Sequence, residues 1–474
     1  MSQFDSAKLE AFVLAEMEKQ RIPGLSLSFV GPHGTLFEKA YGYCHEGTKQ
    51  PVTVDTIMGV ASLSKSFTGV ALAILEEEGK LRFTDPVTRF FPQFKIPGTP
   101  KDAVLIKHLL CHTTGLPLLP TLDHCMDAHT KRDPGEKRDT DALTELLKVQ
   151  TAQDIVDYIC AGDYEPLGQP GEYMNYSNDC YAILSSIVDM AAGMSMEDFL
   201  DQRIFKPLGM GRSALGFERL GDYDNVTQLF SKDDDGKITA SDNWQFAPPY
   251  RGCGWIISSS SDMARYYRML ASGGVHEGKR FLGMGAERRI LGDEFPTTET
   301  GVYTYGLAKA LWRGHTLFTH TGGLKGISSA GGFLKDTGYA GVVLTNIGGA
   351  NPMRILMGAF NILEGLEPDT PAHSYRPVDR EPQEPRIYEG FYSSREGGLS
   401  RCAHVHKVEY LNGELSIALS WEDTKRKLHF CGENYFLAAK EGEDPVNDGT
   451  VISLFVSQDK AWALKMGSRM YQRI

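Results

Sequence analysis

Several absences in this chain of 474 residues each remove a class of function. No run approaches 18 consecutive apolar residues, so a membrane-spanning helix is not expected. No block rich in Lys and Arg occurs, and 61 acidic residues against 49 basic ones leave a net charge of −12. A surface of that sign repels phosphate backbones and anionic lipid, so neither nucleic acid nor membrane is an expected partner. The eight cysteines (Cys44, Cys111, Cys125, Cys160, Cys180, Cys253, Cys402, Cys431) include no Cys-x-x-Cys pair, which argues against a zinc or redox centre. The first thirty residues lack the charged-then-apolar pattern of a signal peptide. Leu9, Phe12, Val13 and Met17 instead recur there at helical spacing among Glu and Lys. Reduced thiols and a cytoplasmic location are therefore expected. Gly-x-Ser-x-Gly, the nucleophile elbow of α/β-hydrolases, is missing, and so is His-Glu-x-x-His. His404-Val405-His406 falls in a predicted strand and reads as a surface or packing pair. No metal and no cofactor are expected.

What remains is ordinary globular material, 41% hydrophobic and 23% charged, enough for a sizeable core. After the first helix, "GLSLSFVGPHGTLFEKAYGY" alternates Leu25, Leu27 and Phe29 before a Gly-Pro-His-Gly turn, which predicts a β-hairpin. Residues 62–78 have helical period, with Phe67, Val70, Ile74 and Leu75 on one side and Gly79 placed to end the helix. Residues 121–150 are polar and charged and read as a mobile surface loop. Helical patterns return around Ile155–Tyr158 and along "YAILSSIVDMAAG". "VTQLFSKDDDGKITAS" reads as a hairpin, and "SSSSDMARYYRMLASGG" as a capped helix. "TLFTHTGG", "ISSAGGFLK" and "YAGVVLTNI" read as neighbouring antiparallel strands that can share a sheet with the hairpin near residues 25–42.

The clearest boundary is "LEPDTPAHSYRPVDREPQEPR", whose five prolines predict an extended linker over 366–386. Beyond it, residues 387–474 contain strand patterns joined by Asn-Gly, Gly-Glu-Asn and Gln-Asp-Lys turns, the makings of a small all-β barrel or half-barrel.

With the other schemes missing, chemistry falls to serine with lysine. Ser62-Leu63-Ser64-Lys65 opens an apolar helix and sets a hydroxyl and an amine nearly one turn apart. At a helix N-terminus, free N–H groups and the macrodipole favour developing negative charge. A lysine directed inward from there has its charge disfavoured by desolvation and can take a proton. The same tetrapeptide also reads as an N-capping serine with a snorkelling lysine. The spacing recurs at Ser457 and Lys460, near a turn of the β module.

Two further stretches add to it: Tyr176-Ser177-Asn178 in a loop before a helix, and His320-Thr321-Gly322-Gly323 at the end of a strand. Tyr-x-Asn alone is poor evidence, since it also occurs at Tyr173, Tyr223 and Tyr410. The preceding "QPG", the following "YSNDCYAILSSIV" and "LLCHTTGLP" at 109–117 supply context. In that order and with those flanks, residues 5–365 resemble the serine β-lactamase and penicillin-recognising family, especially its class C β-lactamase, D-aminopeptidase and carboxylesterase branch. The resemblance implies an α+β fold over 1–365: an antiparallel sheet flanked by helices plus a helical subdomain. Residues 387–474 resemble the lipocalin-like domain that some members append.

The resemblance also implies roles. Ser62 attacks an acyl carbonyl and becomes the acyl-enzyme, while Lys65 and Tyr176 share removal and return of its proton. A cationic neighbour lowers a phenol's pKa, and the two groups titrate as a pair. Asn178 donates to the substrate oxygen and holds Lys65. Backbone N–H groups of Ser62 and Gly323 meet the oxyanion, and the glycines after Thr321 let substrate lie close to the strand edge. His112, a rival base by sequence proximity, is by resemblance a turn residue.

One departure matters. His320 stands where many β-lactamases and penicillin-binding proteins have lysine, and a mostly neutral imidazole suits a substrate carboxylate less well than a permanent charge. The expected activity is therefore an esterase, amidase or D-aminopeptidase-like hydrolase acting on a small ester, amide or short peptide, with weak or absent β-lactam hydrolysis. An acyltransferase or cyclising enzyme would use the same acyl-enzyme with an alcohol or amine acceptor. A binding protein that kept the fold is the third class, which intact Ser62, Lys65 and Tyr176 argue against. Acceptor, oligomeric state and any influence of the barrel on the site stay open at this level.

Overall fold

A computed structural model describes residues 4–134, 148–162, 164–233, 235–292, 295–298, 301–394 and 404–474. Its centre is an antiparallel sheet of eight strands. In spatial order they are Phe295–Thr298, Gly301–Tyr303, Ala308–Trp312, His315–Leu324, Ile327–Leu334, Tyr339–Thr345, Gly24–Gly31 and Gly34–Gly42. The predicted hairpin and the three predicted strands thus share one sheet, with Leu25 opposite Thr345 and His320 opposite Gly331.

The alternation of Leu25, Leu27 and Phe29 predicts one buried face, yet all eight residues of Gly24–Gly31 are buried. Both faces of the sheet are covered. Leu25, Leu27 and Phe29 share a core with Leu9 and Val13 of helix Ser6–Gln20 and with Ile355, Leu356 and Phe360 of helix Pro352–Leu363. Each such side chain taken out of water contributes about 1.5–3 kcal/mol. Ser28, on the opposite face, donates to Ser260 Oγ (3.1 Å) at the start of helix Ser260–Ala271. Small hydroxyl residues let that helix lie close to the strand while satisfying each other's polar groups.

Helix Ser64–Glu77 departs from its expected one-sided pattern, because every residue from Ser64 to Leu75 is buried. It packs among helix Asn178–Ala192, helix Met284–Ile290 and the short helix Arg251–Gly254, so apolar residues are required all round. Phe67 stacks on Tyr266 with ring centroids 3.8 Å apart.

The stretch read as a mobile loop over 121–150 is partly a helix, Thr121–His129. Its Thr121, His124 and Cys125 are buried, and Thr121 Oγ1 donates to the buried carboxylate of Asp179. Satisfying that carboxylate anchors a segment whose composition alone reads as solvated. Farther on, Asp133 pairs with Lys325 (2.6 Å) in the turn after His315–Leu324. Residues 135–147 of the same stretch lie outside the described residues.

The C-terminal strands close a barrel: Gly390–Ser394, His404–Leu411, Glu414–Ala418, Arg426–Gly432, Tyr435–Ala439, Thr450–Ser457, Lys460–Met466 and Arg469–Arg473. Closure comes from pairing the first strand with the last, Tyr392 with Arg473. Alternate residues such as Val408, Ile417, Leu428, Phe436, Ile452 and Leu464 fill the interior. His406 also packs there, its ring 4.5 Å from that of Tyr471 and 4.6 Å from that of Trp421. No group of three or more potential metal ligands assembles among the described residues.

The barrel is docked on the catalytic region. Tyr173 lies edge-on to Trp462 (5.1 Å) and Phe455 (6.0 Å), beside a cluster of Leu167, Ala463 and Met470. Leu118 inserts into the barrel's own core.

Candidate active site

Ser62 sits in a short 3₁₀ turn, Ala61–Leu63, just ahead of the helix that begins at Ser64. The turn is over-determined by its surroundings. Val60 N–H donates to Ile256 O (3.0 Å) and Val60 O accepts from Ser329 Oγ (2.7 Å). Ala61 has φ +45°, a left-handed conformation that costs a residue with a Cβ about 1 kcal/mol or more. Ser64 Oγ donates to Ala61 O (2.7 Å) and accepts from Ile256 N–H (3.2 Å), stitching the strained turn to the neighbouring strand.

Lys65 is fully buried, and its Nζ meets three acceptors: Ser62 Oγ at 3.3 Å, Asn178 Oδ1 at 2.8 Å and Cys253 O at 2.8 Å. Three acceptors match the three donors of an ammonium. Asn178 opens helix Asn178–Ala192, whose N-cap is Ser177. Tyr176, the residue before that cap, is 6% exposed, and Lys65 Nζ lies 4.7 Å from its ring centroid. The Tyr176 hydroxyl is buried with no hydrogen-bond partner among the described residues. Ser62, Tyr176 and Asn178 thus converge around Lys65.

His112 supports this arrangement from behind. Its carbonyl accepts Asn175 N–H (2.8 Å), its Nδ1 accepts Ser177 N–H (3.1 Å), and its ring lies 4.4 Å from that of Tyr176. Burial, with Lys65 and His320 nearby, holds its pKa well below the ordinary histidine value. A neutral ring whose acceptor nitrogen is already used does not serve as the base.

His320 lies on strand His315–Leu324, again buried. Its Nδ1 donates to Thr321 O (2.5 Å), so the neutral ring accepts at Nε2, where Tyr303 OH donates (3.0 Å). Burial and the nearby Lys65 push its pKa down to about 4. The Tyr303 phenol, raised well above its usual range by burial, stays protonated and suits the donor role. Both imidazole nitrogens are therefore committed within the protein. Tyr303 carries no motif, and nothing in the sequence marks it.

The two glycines after Thr321 divide their work. A Cβ on Gly322 would lie 2.4 Å from Ser329 Oγ and 2.6 Å from Val60 O, so this glycine lets the strand press against the turn that carries Ser62. A Cβ on Gly323 would meet open space. Gly322 thus faces the turn that carries Ser62, whereas Gly323 faces the cavity.

That cavity, of about 420 Å³, is lined by Ser62, Tyr176, Asn178, His320, Thr321 and Gly323 together with apolar walls from Leu122, Met126, Trp255 and Leu324. Two lining residues come from the barrel. Ser468 lies in the turn between its last two strands and Arg469 opens the last strand; Ser468 O accepts Tyr176 N–H (2.9 Å), and Met470 N–H donates to Asn175 Oδ1 (2.9 Å). Arg469 Cζ lies 5.3 Å from the centroid of the Tyr176 ring. A contact between positions so far apart in the chain leaves no local pattern to read.

The β-lactamase family model matches residues 9–365. The chain belongs to the β-lactamase family. It is accordingly an enzyme of the serine-hydrolase kind, with an eight-stranded barrel that fits the lipocalin-like module expected after it. Among curated proteins it is similar to penicillin-binding protein 4 of Amycolatopsis lactamdurans, 28% identical over 83% of this chain and 99% of that one. It is also 29% identical to penicillin-binding protein 4* of Bacillus subtilis, where the match spans 53% of each chain, about half of that relative's length. Among solved structures, the octameric penicillin-binding protein homologue from Pyrococcus abyssi aligns over 99% of both chains with a TM-score of 0.68 and 23% identity. The D-amino acid amidase of Ochrobactrum anthropi aligns over 76% of this chain and 99% of its own, with a TM-score of 0.59 and 22% identity. At those identities the structural matches speak to fold. Among the described residues, no helix is long and apolar enough to cross a membrane.

Proposed function

We propose that this β-lactamase-family enzyme hydrolyses a small ester or amide through an acyl-Ser62 intermediate. The observation that carries the reading is the set of contacts at Lys65, whose Nζ bridges Ser62 Oγ and Asn178 Oδ1 at the floor of a cavity shared with an unpartnered Tyr176 hydroxyl. In the first step Ser62 Oγ bonds to the substrate carbonyl carbon as its proton leaves. With Lys65 held as an ammonium beside it, Tyr176 reacts in its phenolate form, and its oxygen takes that proton. Charge on the carbonyl oxygen is met by the backbone N–H groups of Ser62 and Gly323. As the bond to the leaving alcohol or amine breaks, Tyr176 returns the proton to it. Water then repeats the sequence in reverse roles, releasing the acid and restoring Ser62.

Penicillin-binding proteins and an amidase among its relatives support an amide or short-peptide substrate. The committed, neutral His320 supports weak β-lactam turnover, because a substrate carboxylate finds no cation at that strand position.

Intact-protein mass spectrometry after exposure to a neutral fluorophosphonate tests the intermediate. A single adduct on the wild type and on Ser457→Ala, and none on Ser62→Ala, is the expected result; an adduct that survives Ser62→Ala overturns the mechanism. Product analysis with and without added alcohol or amine then separates hydrolysis from acyl transfer.

A further inference from the structure

The cavity beside Ser62 has two unlike walls. On one, Tyr176 packs with Met174 and Tyr303 in a small cluster of its own, and His320 and Ser468 line the cavity beside it. The other is made of Leu122, Met126, Trp255 and Leu324, all of which pack with the main core instead. The charged lining residues Asp123 and Arg469 are each engaged with other groups of the protein.

The apolar wall is held in place by specific bonds. Helix Thr121–His129 turns Thr121, His124 and Cys125 into the core, which leaves Leu122 and Met126, four residues apart on one face, half-buried at the cavity. Thr121 Oγ1 anchors the helix to the carboxylate of Asp179, the residue directly after Asn178. Leu324 ends the strand just past Gly323 and shares its side with Gly322, the glycine pressed against the Ser62 turn. A Cβ on Gly254 would lie 3.9 Å from both Ala61 C and Leu324 Cδ1, which puts that leucine beside the turn that carries the nucleophile. Gln245 ties the remaining pieces together. Its side-chain oxygen accepts Lys325 N–H (2.9 Å), and its carbonyl accepts the Trp255 indole N–H (2.9 Å). With that N–H satisfied, the indole has no donor left for a ligand.

In the mechanism above Tyr176 returns a proton to the leaving group, so the departing half of the substrate lies along the Tyr176 wall. The N–H groups of Ser62 and Gly323 take the carbonyl oxygen. The acyl substituent is the remaining branch of the tetrahedral carbon, and the wall left for it is the apolar one.

We propose that Leu122, Met126, Trp255 and Leu324 form a slot that selects substrates whose acyl half ends in uncharged hydrocarbon, aliphatic or aromatic. The proposal rests on the acyl-Ser62 reading for which half of the substrate is the acyl half. Hydrocarbon laid on these side chains leaves water together with them, and each methylene so buried is worth about fourfold. A charged acyl terminus would lose hydration there and find no partner on the four side chains.

The test compares kcat/KM of the full-length enzyme for umbelliferyl esters that share one leaving group: the acetate, the hexanoate and the half-ester of hexanedioate. The hexanoate should exceed both the acetate and the hexanedioate by at least about tenfold. In the double variant Leu122→Gln, Met126→Gln the hexanoate-to-acetate ratio should fall to within about threefold of unity, while Met126→Leu, which keeps the apolar surface, should keep the wild-type ratio. Acetate or hexanedioate turned over as well as hexanoate, or a ratio that survives the double variant, overturns the slot. So does absence of turnover of all the esters by an enzyme whose Ser62 the fluorophosphonate labels. Should the double variant not fold, the two wild-type ratios alone decide. Failure of the fluorophosphonate to label Ser62 overturns the acyl-serine reading instead, and the two outcomes are read in separate experiments.

Discussion

Tyr176 is held by everything except its hydroxyl. His112 and Arg469 flank its ring, its N–H is tied to the barrel, and its oxygen has no partner among the described residues. Removing a buried hydroxyl that bonds to nothing costs little stability, while removing a proton shuttle costs rate. Tyr176→Phe is therefore expected to lower kcat by about 10²–10⁴-fold with an unchanged or slightly higher melting temperature; near-normal turnover would assign the proton to Lys65. Ser64 is the opposite case. Its hydroxyl bridges Ala61 O and Ile256 N–H; Ala61 O keeps the Ser64 backbone N–H, so Ser64→Ala strands the buried Ile256 N–H and should cost about 1–3 kcal/mol in denaturant unfolding. Labelling at Ser62 should persist in that variant. The sequence made Ser62 and Lys65 candidates by spacing, but which of the two neighbouring serines supports the other is a matter of tertiary hydrogen bonds.

At the scale of elements, the strand that ends in Thr321-Gly322-Gly323 is the informative one. Its position in the sheet was legible because alternating apolar residues and Gly-rich turns are local signals. The division between its two glycines was not, since it depends on what lies across the strand. Gly322→Ala drives a Cβ into Val60 O and Ser329 Oγ, and overpacking of that kind typically costs about 1–3 kcal/mol. Slower labelling at Ser62 together with a lowered melting temperature is expected. Gly323→Ala should melt like the wild type, with any change confined to substrate selection. Similarly, helix Thr121–His129 escaped notice because its composition is polar, and the buried Asp179 that anchors it is some sixty residues away.

At the scale of the whole molecule, three buried histidines from different regions, His112, His320 and His406, are held neutral by desolvation, the last two with pKa values pushed down to about 4. In an unfolded chain the same groups protonate near pH 6.5. Between those values the unfolded state binds more protons than the folded one, so stability is full above pH 6.5 and falls as pH drops toward 4. Each such group can contribute up to about 1.4 kcal/mol per pH unit. Urea midpoints at pH 7, 6 and 5 should therefore decline steeply, and His406→Gln, far from the cavity, should flatten the decline. The sheet, the barrel and the order of the motifs were legible as strings of local patterns. The seating of one on the other was not, because nothing near residue 176 announces residue 468.

That seating has a consequence for how the protein is made. Asn175 and Met470 are 295 positions apart, and the strand that Arg469 opens must also pair with Gly390–Ser394 before the barrel closes. A ribosome-bound chain therefore carries Ser62, Lys65 and Asn178 through most of its synthesis while the loop bearing Tyr176 lacks its clamp. A frameshift or a proteolytic cut after residue 459 would leave all three motifs in the gene product and still remove the carbonyl that holds Tyr176. Damage near the carboxyl end should thus read out as a defect at a serine four hundred residues upstream.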